Sequence, residues 1–470
     1  MPLTRRELLG QISGTLLALG ADRSLAATSD DARPRRDRTD YLIRGGTVVS
    51  VDPRIGTQPS CDVLVKNGAI AAVGRDLPSR GLRRIDATRM IVMPGFVETH
   101  WHLWSSLGRT FIADGFEYFA AKRAFAQHYT PADFRCSNRL ALAEAIHAGI
   151  TTVHNFAHNV RGPDYADAEL QAHAECGVRA RYSYGYRDGA PREQMMDFAD
   201  VDRVSAQWFG ADSPFAGRVT LGVALRGPNP LSLFEAEASA ARARGLPIAL
   251  HAGQGPQPIS AVELRQRGLL DPNVLLIHFL RANEADRESI AATGASLSLS
   301  MHSEFRLGVA GDVREQLLRM LAAGVNVALS IDANSLAPVN VFEAMRMAWS
   351  VGIPWQDTPT SGYAAVTFKQ ALAMATLNGA RALGIERLAG SLTPGKRADI
   401  LLIRQDDLNL VPVVEPESAL VLSATPENVD TVIVDGRILK RGGKLVGLDV
   451  ERIKRDAARA AQALRQRAGK

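Results

Sequence analysis

Apolar and polar positions alternate in two different textures along this chain. Near both ends, short β-type runs are punctuated by glycine turns. The first such region covers 41–49 and 62–74, where Asn67-Gly68 between β-branched stretches is a hairpin signal. The second covers 398–403 and 429–437. Between them the texture changes to eight apolar strand candidates at 93–102, 151–156, 180–186, 219–225, 247–251, 274–279, 296–301 and 325–332. Amphipathic helical stretches such as 131–147, 231–244, 261–267 and 313–323 separate those runs. Strands that are apolar throughout and alternate with helices predict a parallel sheet covered on both faces. Eight such units fit a closed (β/α)8, TIM-like barrel, and the two strand-rich ends predict one small β-sandwich beside it. An open doubly wound sheet is the alternative, but no glycine-rich nucleotide loop follows the first strand.

A chain of 470 residues has room for a barrel and a companion domain. The predicted layout is a leader at 1–27, a linker at 28–39 and the first part of the sandwich at 40–93. The barrel follows at 94–388, the rest of the sandwich at 389–445 and a basic helix at 446–470. Hydrophobic residues make up 46% and charged residues 22%, enough apolar content for a large core. The net charge of +5 is spread along the chain, with no interleaved aromatic-and-basic motif, so a nucleic-acid partner is not expected. The start reads differently. Arg5-Arg6 precedes an apolar stretch, and Ser24-Leu25-Ala26 offers small residues for cleavage, as in a twin-arginine export signal. That stretch is too short and glycine-broken for stable membrane insertion. The expected address is therefore outside the cytoplasm, in the periplasm. Cys61, Cys136 and Cys176 show no paired spacing and read as core thiols.

The chemistry gathers at strand ends. In a barrel of this kind, reactive side chains sit where the strands finish. The first strand ends Thr99-His100-Trp101-His102, the fifth in His251, the sixth in His278 and the eighth in Asp332. Residues two apart in an extended chain point the same way, so His100 and His102 can reach one ion. One histidine at a strand end is usually a core residue. Four histidines and an aspartate at the same end of four strands predict a divalent metal site, with zinc preferred over iron.

The run Pro94-Gly95-Phe96-Val97-Glu98-Thr99-His100-Trp101-His102 resembles the first-strand signature of the amidohydrolase superfamily. Gly149-Ile150-Thr151-Thr152-Val153 and the closing segment from Gly390 to Asp399 extend the resemblance, which spans about Asp40 to Gly442. The branch it looks like is the deaminase and triazine-hydrolase group with a split β-sandwich. The resemblance implies that His100, His102, His251 and Asp332 hold the metal. It also implies that Asp332 carries a proton from water to the leaving group, and that His278 orients the nucleophile. The implied reaction is hydrolysis of a non-peptide carbon–nitrogen bond in a small cyclic or aromatic molecule, by deamination or by amide or lactam opening. A non-catalytic metal-binding scaffold is the competing reading, although a scaffold has no need of Asp332 or His278.

Three departures from that pattern shape the expectations. Arg226 follows the fourth strand where binuclear relatives carry a bridging lysine or acid, so one ion is expected. Arg226 is left to bind an anionic substrate group or to pair with a structural carboxylate. Gln254 stands where the group carries a glutamate, and glutamine cannot shuttle a proton. Glu304 and His302, after the seventh strand, are candidates to take over that role; Glu304 alternatively recognises a substrate amine or makes a salt bridge. The long segment between His102 and Thr151 is rich in aromatics and predicts a helical cap, with Trp101 and Trp104 beside the substrate. His128, His154 and His158 are further pocket candidates, each more simply explained by packing. A small-molecule partner is expected, and a homo-oligomer is compatible with this reading.

Overall fold

The computed structural model describes residues 40–112, 118–227, 230–252, 260–307 and 311–470. The leader and Gln254 lie outside them. Eight parallel strands form the central sheet in chain order: Phe96–Trp101, Ile150–Ala157, Arg179–Gly185, Val219–Leu225, Ile248–Ala252, Val274–His278, Ser296–Leu299 and Asn326–Leu329. Below they are strands one to eight of the barrel. Closure runs from strand one to the segment after strand eight. The His102 amide donates to the Asp332 carbonyl, and the Asp332 amide donates to the His100 carbonyl, both at 2.8 Å. Helices predicted from periodicity appear within a residue or so, as Pro131–His147, Leu231–Ala243, Ala261–Gln266 and Val313–Ala322.

The strand-rich ends join into one mixed sheet of nine strands among the described residues. Met90–Pro94 pairs there with Tyr41–Val49 on one side and Ile400–Arg404 on the other, which is how the two ends of the chain meet. Alternation along these strands separates two cores. Val92, Ile400 and Leu402 face the sheet's own core, whereas Ile91, Met93, Leu401 and Ile403 face the barrel.

The apolar run 93–102 is therefore two strands and not one. Met93 and Pro94 belong to the mixed sheet, and the chain crosses into the barrel at Gly95. A side chain at Gly95 would place its Cβ 2.0 Å from the Thr151 hydroxyl oxygen, an approach that glycine alone permits. Gly95→Ala is expected to destabilise the fold by roughly 1–3 kcal/mol through overpacking, measurable as a lowered urea midpoint. The junction is fastened by Asp399 of the closing segment. Its carboxylate takes Arg179 of strand three at 2.7 Å and the Asp435 amide at 2.7 Å, and its carbonyl takes the Gly95 amide at 3.0 Å. Arg179 and Asp399 are both buried, and Arg179 also reaches Asp435 at 3.5 Å, so without Arg179 the Asp399 carboxylate would be an unpaired charge inside the protein.

The segment after strand one forms a short 3-10 helix, Leu103–Gly108, and a helix at Tyr118–Ala126. Its aromatics pack mainly on one another: Trp104 stacks on Phe134 at 5.6 Å, and Phe111 meets Phe125 at 4.2 Å. The terminal helix Val450–Arg467 lies against this cluster through Ala457 and Leu464. No helix among the described residues is long and apolar enough to cross a membrane.

Candidate metal centre

Barrel closure assembles the site. Strand one is extended, so His100 and His102 project to the same side, and the closing hydrogen bonds bring Asp332 between them. Asp332 Oδ1 lies 3.2 Å from His100 Nε2 and 3.3 Å from His102 Nε2. From strand five, His251 Nε2 lies 3.3 Å from His100 Nε2. The ring of His278, from strand six, stacks on that of His251 at 5.4 Å. His100, His102 and Asp332 each present one ligand atom within 4.8 Å of the others, and so do His100, His251 and His278. The five residues sought at the strand ends are together.

The donor set fits a divalent cation. Burial, then neighbouring imidazoles, pushes the His100 pKa down to about 3, and burial with His158 pushes His102 to about 4. His251 is lowered by the same causes. These rings are neutral at ordinary pH and offer lone pairs, the form a metal requires. Two neutral imidazole nitrogens 3.3 Å apart can share at most one proton, and a cation between them satisfies both.

His278 is set apart. Burial would lower its pKa, but Glu304 overrides that and raises it to about 9, with His278 Nδ1 and Glu304 Oε1 2.7 Å apart. The Nδ1–H donates to the carboxylate, which leaves Nε2 as its second nitrogen. Glu304 is itself buried and also accepts the Ser300 amide at 3.3 Å. It thus stands behind His278, as the partner that fixes its ring and charge. Glu304→Gln removes the main group that raises His278, leaving Asp332, and keeps the burial that lowers it. The basic limb of the kcat–pH profile, near 9 in the parent, is expected to move to lower pH. A basic limb that stays near 9 in the variant would disconnect His278 from the reaction.

The other candidates divide. His302 Nε2 faces Glu343 at 3.1 Å, toward the helix Val341–Val351. Arg226 does not make the expected pairing with a structural carboxylate among the described residues. Its guanidinium donates to the carbonyls of Ala190, Pro191 and Gln194 and lies over the Tyr186 ring at 5.3 Å. Trp101 is fully buried, its N–H donating to Asn334 at 2.7 Å, so it supports the site from behind. Trp104 lines a cleft of about 30 Å³ with Tyr118, Lys122 and Ser335. His154 is a satisfied core histidine, bonded to the Thr99 carbonyl at 2.6 Å and to Ser183 at 2.8 Å. His128 touches Gln127 away from the site. His158 is in the site after all, its ring 4.3 Å from that of His102.

Two features escape sequence reasoning. Glu98, inside the signature itself, is completely buried and accepts the amides of His100 and Ile331 at 2.8 and 3.1 Å. It fastens strand one to the segment carrying Asp332, and burial raises its carboxyl to about 8. His278 and Asp332 also have positive φ, 75° and 69°. Such backbone costs about 1–3 kcal/mol per residue and persists where surrounding structure enforces it, often at reactive sites.

Comparison with known proteins agrees with this geometry. The amidohydrolase family pattern matches residues 91–439. The 5-methylthioadenosine/S-adenosylhomocysteine deaminase of Desulforudis audaxviator is 31% identical over 447 residues, 90% of this chain and 98% of that protein. The 5'-deoxyadenosine deaminase of Methanosarcina barkeri is 28% identical, over 90% and 98%. Among solved structures, a zinc-bound adenosine deaminase from Xanthomonas campestris superposes with a TM-score of 0.79 at 23% identity, covering 91% of this chain and 99% of that one. The zinc complex of atrazine chlorohydrolase from Arthrobacter aurescens gives 0.75 at 23%, covering 90% and 100%. Barrel and site define a metal-dependent hydrolase acting on carbon–nitrogen bonds of small molecules. The chain belongs to the amidohydrolase family.

Proposed function

We propose that the protein is a mononuclear zinc hydrolase that opens an amide or lactam. His100, His102, His251 and Asp332 would hold the ion, the donor set being nitrogen-rich with one carboxylate. When bound, the ion supplies an acidified water and a Lewis acid for a carbonyl oxygen. Asp332, beside both imidazoles at 3.2 and 3.3 Å, would accept the water's proton and return it to the departing nitrogen. His278, kept charged by Glu304, donates from Nε2 to the attacking oxygen and orients it.

The observation that carries the choice of substrate is where Glu304 and His302 point. Heteroaromatic deamination calls for an acid at the ring nitrogen. Glu304 is committed to His278, which argues against its serving as that acid, and His302 Nε2 points toward Glu343, at 3.1 Å, without a hydrogen bond to it. A carbonyl substrate needs none. A second reading, deamination of an adenosine-like nucleoside, is favoured by the names of the curated relatives. The scaffold alternative is not favoured, since those relatives are named as enzymes. A panel of amides, lactams and aminated heterocycles, assayed on zinc-loaded enzyme for ring opening and ammonia, separates the two reactions. Ammonia from heterocycles with no amide or lactam turnover would overturn the first.

Export by the twin-arginine route belongs to the same proposal, supported by Arg5-Arg6 and the apolar stretch behind it. Changing both arginines to lysine is expected to retain the precursor in the cytoplasm. Fractionation that finds the native chain there with its first 26 residues intact would refute it.

A further inference from the structure

Beside His102, three charged or titratable groups from three different elements meet. Lys122, on the cap helix Tyr118–Ala126, has its Nζ 2.7 Å from His158 Nε2 and 3.7 Å from Asp188 Oδ2. His158 Nε2 is also 3.3 Å from Asp188 Oδ1. Lys122 is half-buried, lines the cleft with Trp104 and Tyr118, and lies 5.8 Å from the Trp104 ring centre.

We infer that Lys122 is a specificity-determining residue that selects a substrate bearing a carboxylate, and this rests on the proposal that the neighbouring centre binds a small molecule. An ammonium has three donors. Among the described residues, one goes to His158, while Asp188 lies beyond hydrogen-bond distance. Lys122 is also replaceable where it stands. The indole N–H of Trp104 is 3.3 Å from His158 Nδ1, and a neutral imidazole accepts at one nitrogen only. Lys122 and Trp104 therefore compete for His158, so Trp104 satisfies the ring when Lys122 turns to a ligand.

The surroundings favour an anion. A cavity of about 200 Å³ adjoins the cluster through Tyr186, whose ring is 6.0 Å from that of His158. Three arginines and one aspartate, Asp197, contribute its charged lining. Arg161 and Arg226 are held there by neutral backbone carbonyls, and among the described residues neither makes an ion pair. Uncompensated charge in a concave wall raises the local concentration of anions.

Calorimetric binding of benzoate and acetophenone, a neutral carbonyl with no bond to hydrolyse, to the zinc-loaded full chain tests the inference. Benzoate is expected to bind more tightly than acetophenone. Lys122→Met should weaken benzoate by about tenfold or more, the scale of one lost charge-assisted hydrogen bond, and leave acetophenone unchanged. Lys122→Arg should retain benzoate, and Asp188→Asn, which removes the competing carboxylate, should tighten it. Equal benzoate affinity in the parent and Lys122→Met would overturn the inference, placing the carboxylate on the metal. Parallel weakening of both probes would overturn it too, making Lys122 a structural tie. The same titrations on metal-free protein keep the two proposals apart. A Lys122-dependent preference that survives there supports this inference even if the metal assignment fails, and one that vanishes overturns it.

Discussion

Asp332→Asn should keep most of its metal and lose about three orders of magnitude in kcat, the range spanned by a positioned general base. The amide oxygen can still face His100 and His102, which lie 3.2 and 3.3 Å from the native carboxylate. What it cannot do is accept a proton. The folded structure should survive, because the barrel-closing hydrogen bonds at this position run through the backbone of residue 332 and not its side chain. Metal content by elemental analysis and kcat on the best substrate of the panel must therefore separate. A variant with near-native kcat would remove Asp332 from proton transfer, whereas joint loss of metal and rate would make it chiefly a ligand.

The double variant His100→Ala, His102→Ala should lose metal and activity together. Both imidazoles contact Asp332, and His100 also meets His251, so the pair forms the centre of the cluster. Truncation to alanine leaves Asp332 buried with its two nearest partners gone. That adds a stability cost of a few kcal/mol for an unpaired buried charge, unless the carboxyl takes up a proton. Added zinc should not restore the rate. Full metal occupancy in the double variant would show that the ion sits elsewhere.

How far the site is legible in the sequence follows from what each contact depends on. The gathering of His100, His102, His251, His278 and Asp332 needs only strand alternation and the rule that barrel strands end on one face. The pairing of Glu304 with His278 needs more. Strand seven stops at Leu299 and a helix begins at Met301, which turns Glu304 inward; the serine and apolar alternation of the strand carries on through Ser300 and Met301 and hides that boundary. The break at Gly95 is hidden as well, since both sheets bury their strands and neither leaves a polar mark. The carbonyl contacts of Arg226 are not legible because a guanidinium bonds carbonyls as well as carboxylates, and loop carbonyls have no sequence signature. The meeting of Lys122, His158 and Asp188 joins a cap helix to two strand-end loops, a tertiary contact no local pattern encodes.

The proposed single ion is tested most directly by titration of metal-stripped enzyme with zinc, following amide or lactam turnover and bound metal on the same samples. No turnover is expected in the stripped protein, and the rate should rise in proportion to bound zinc and saturate at about one ion per chain. Turnover without metal, or a rate that appears only once a second ion has bound, would contradict it.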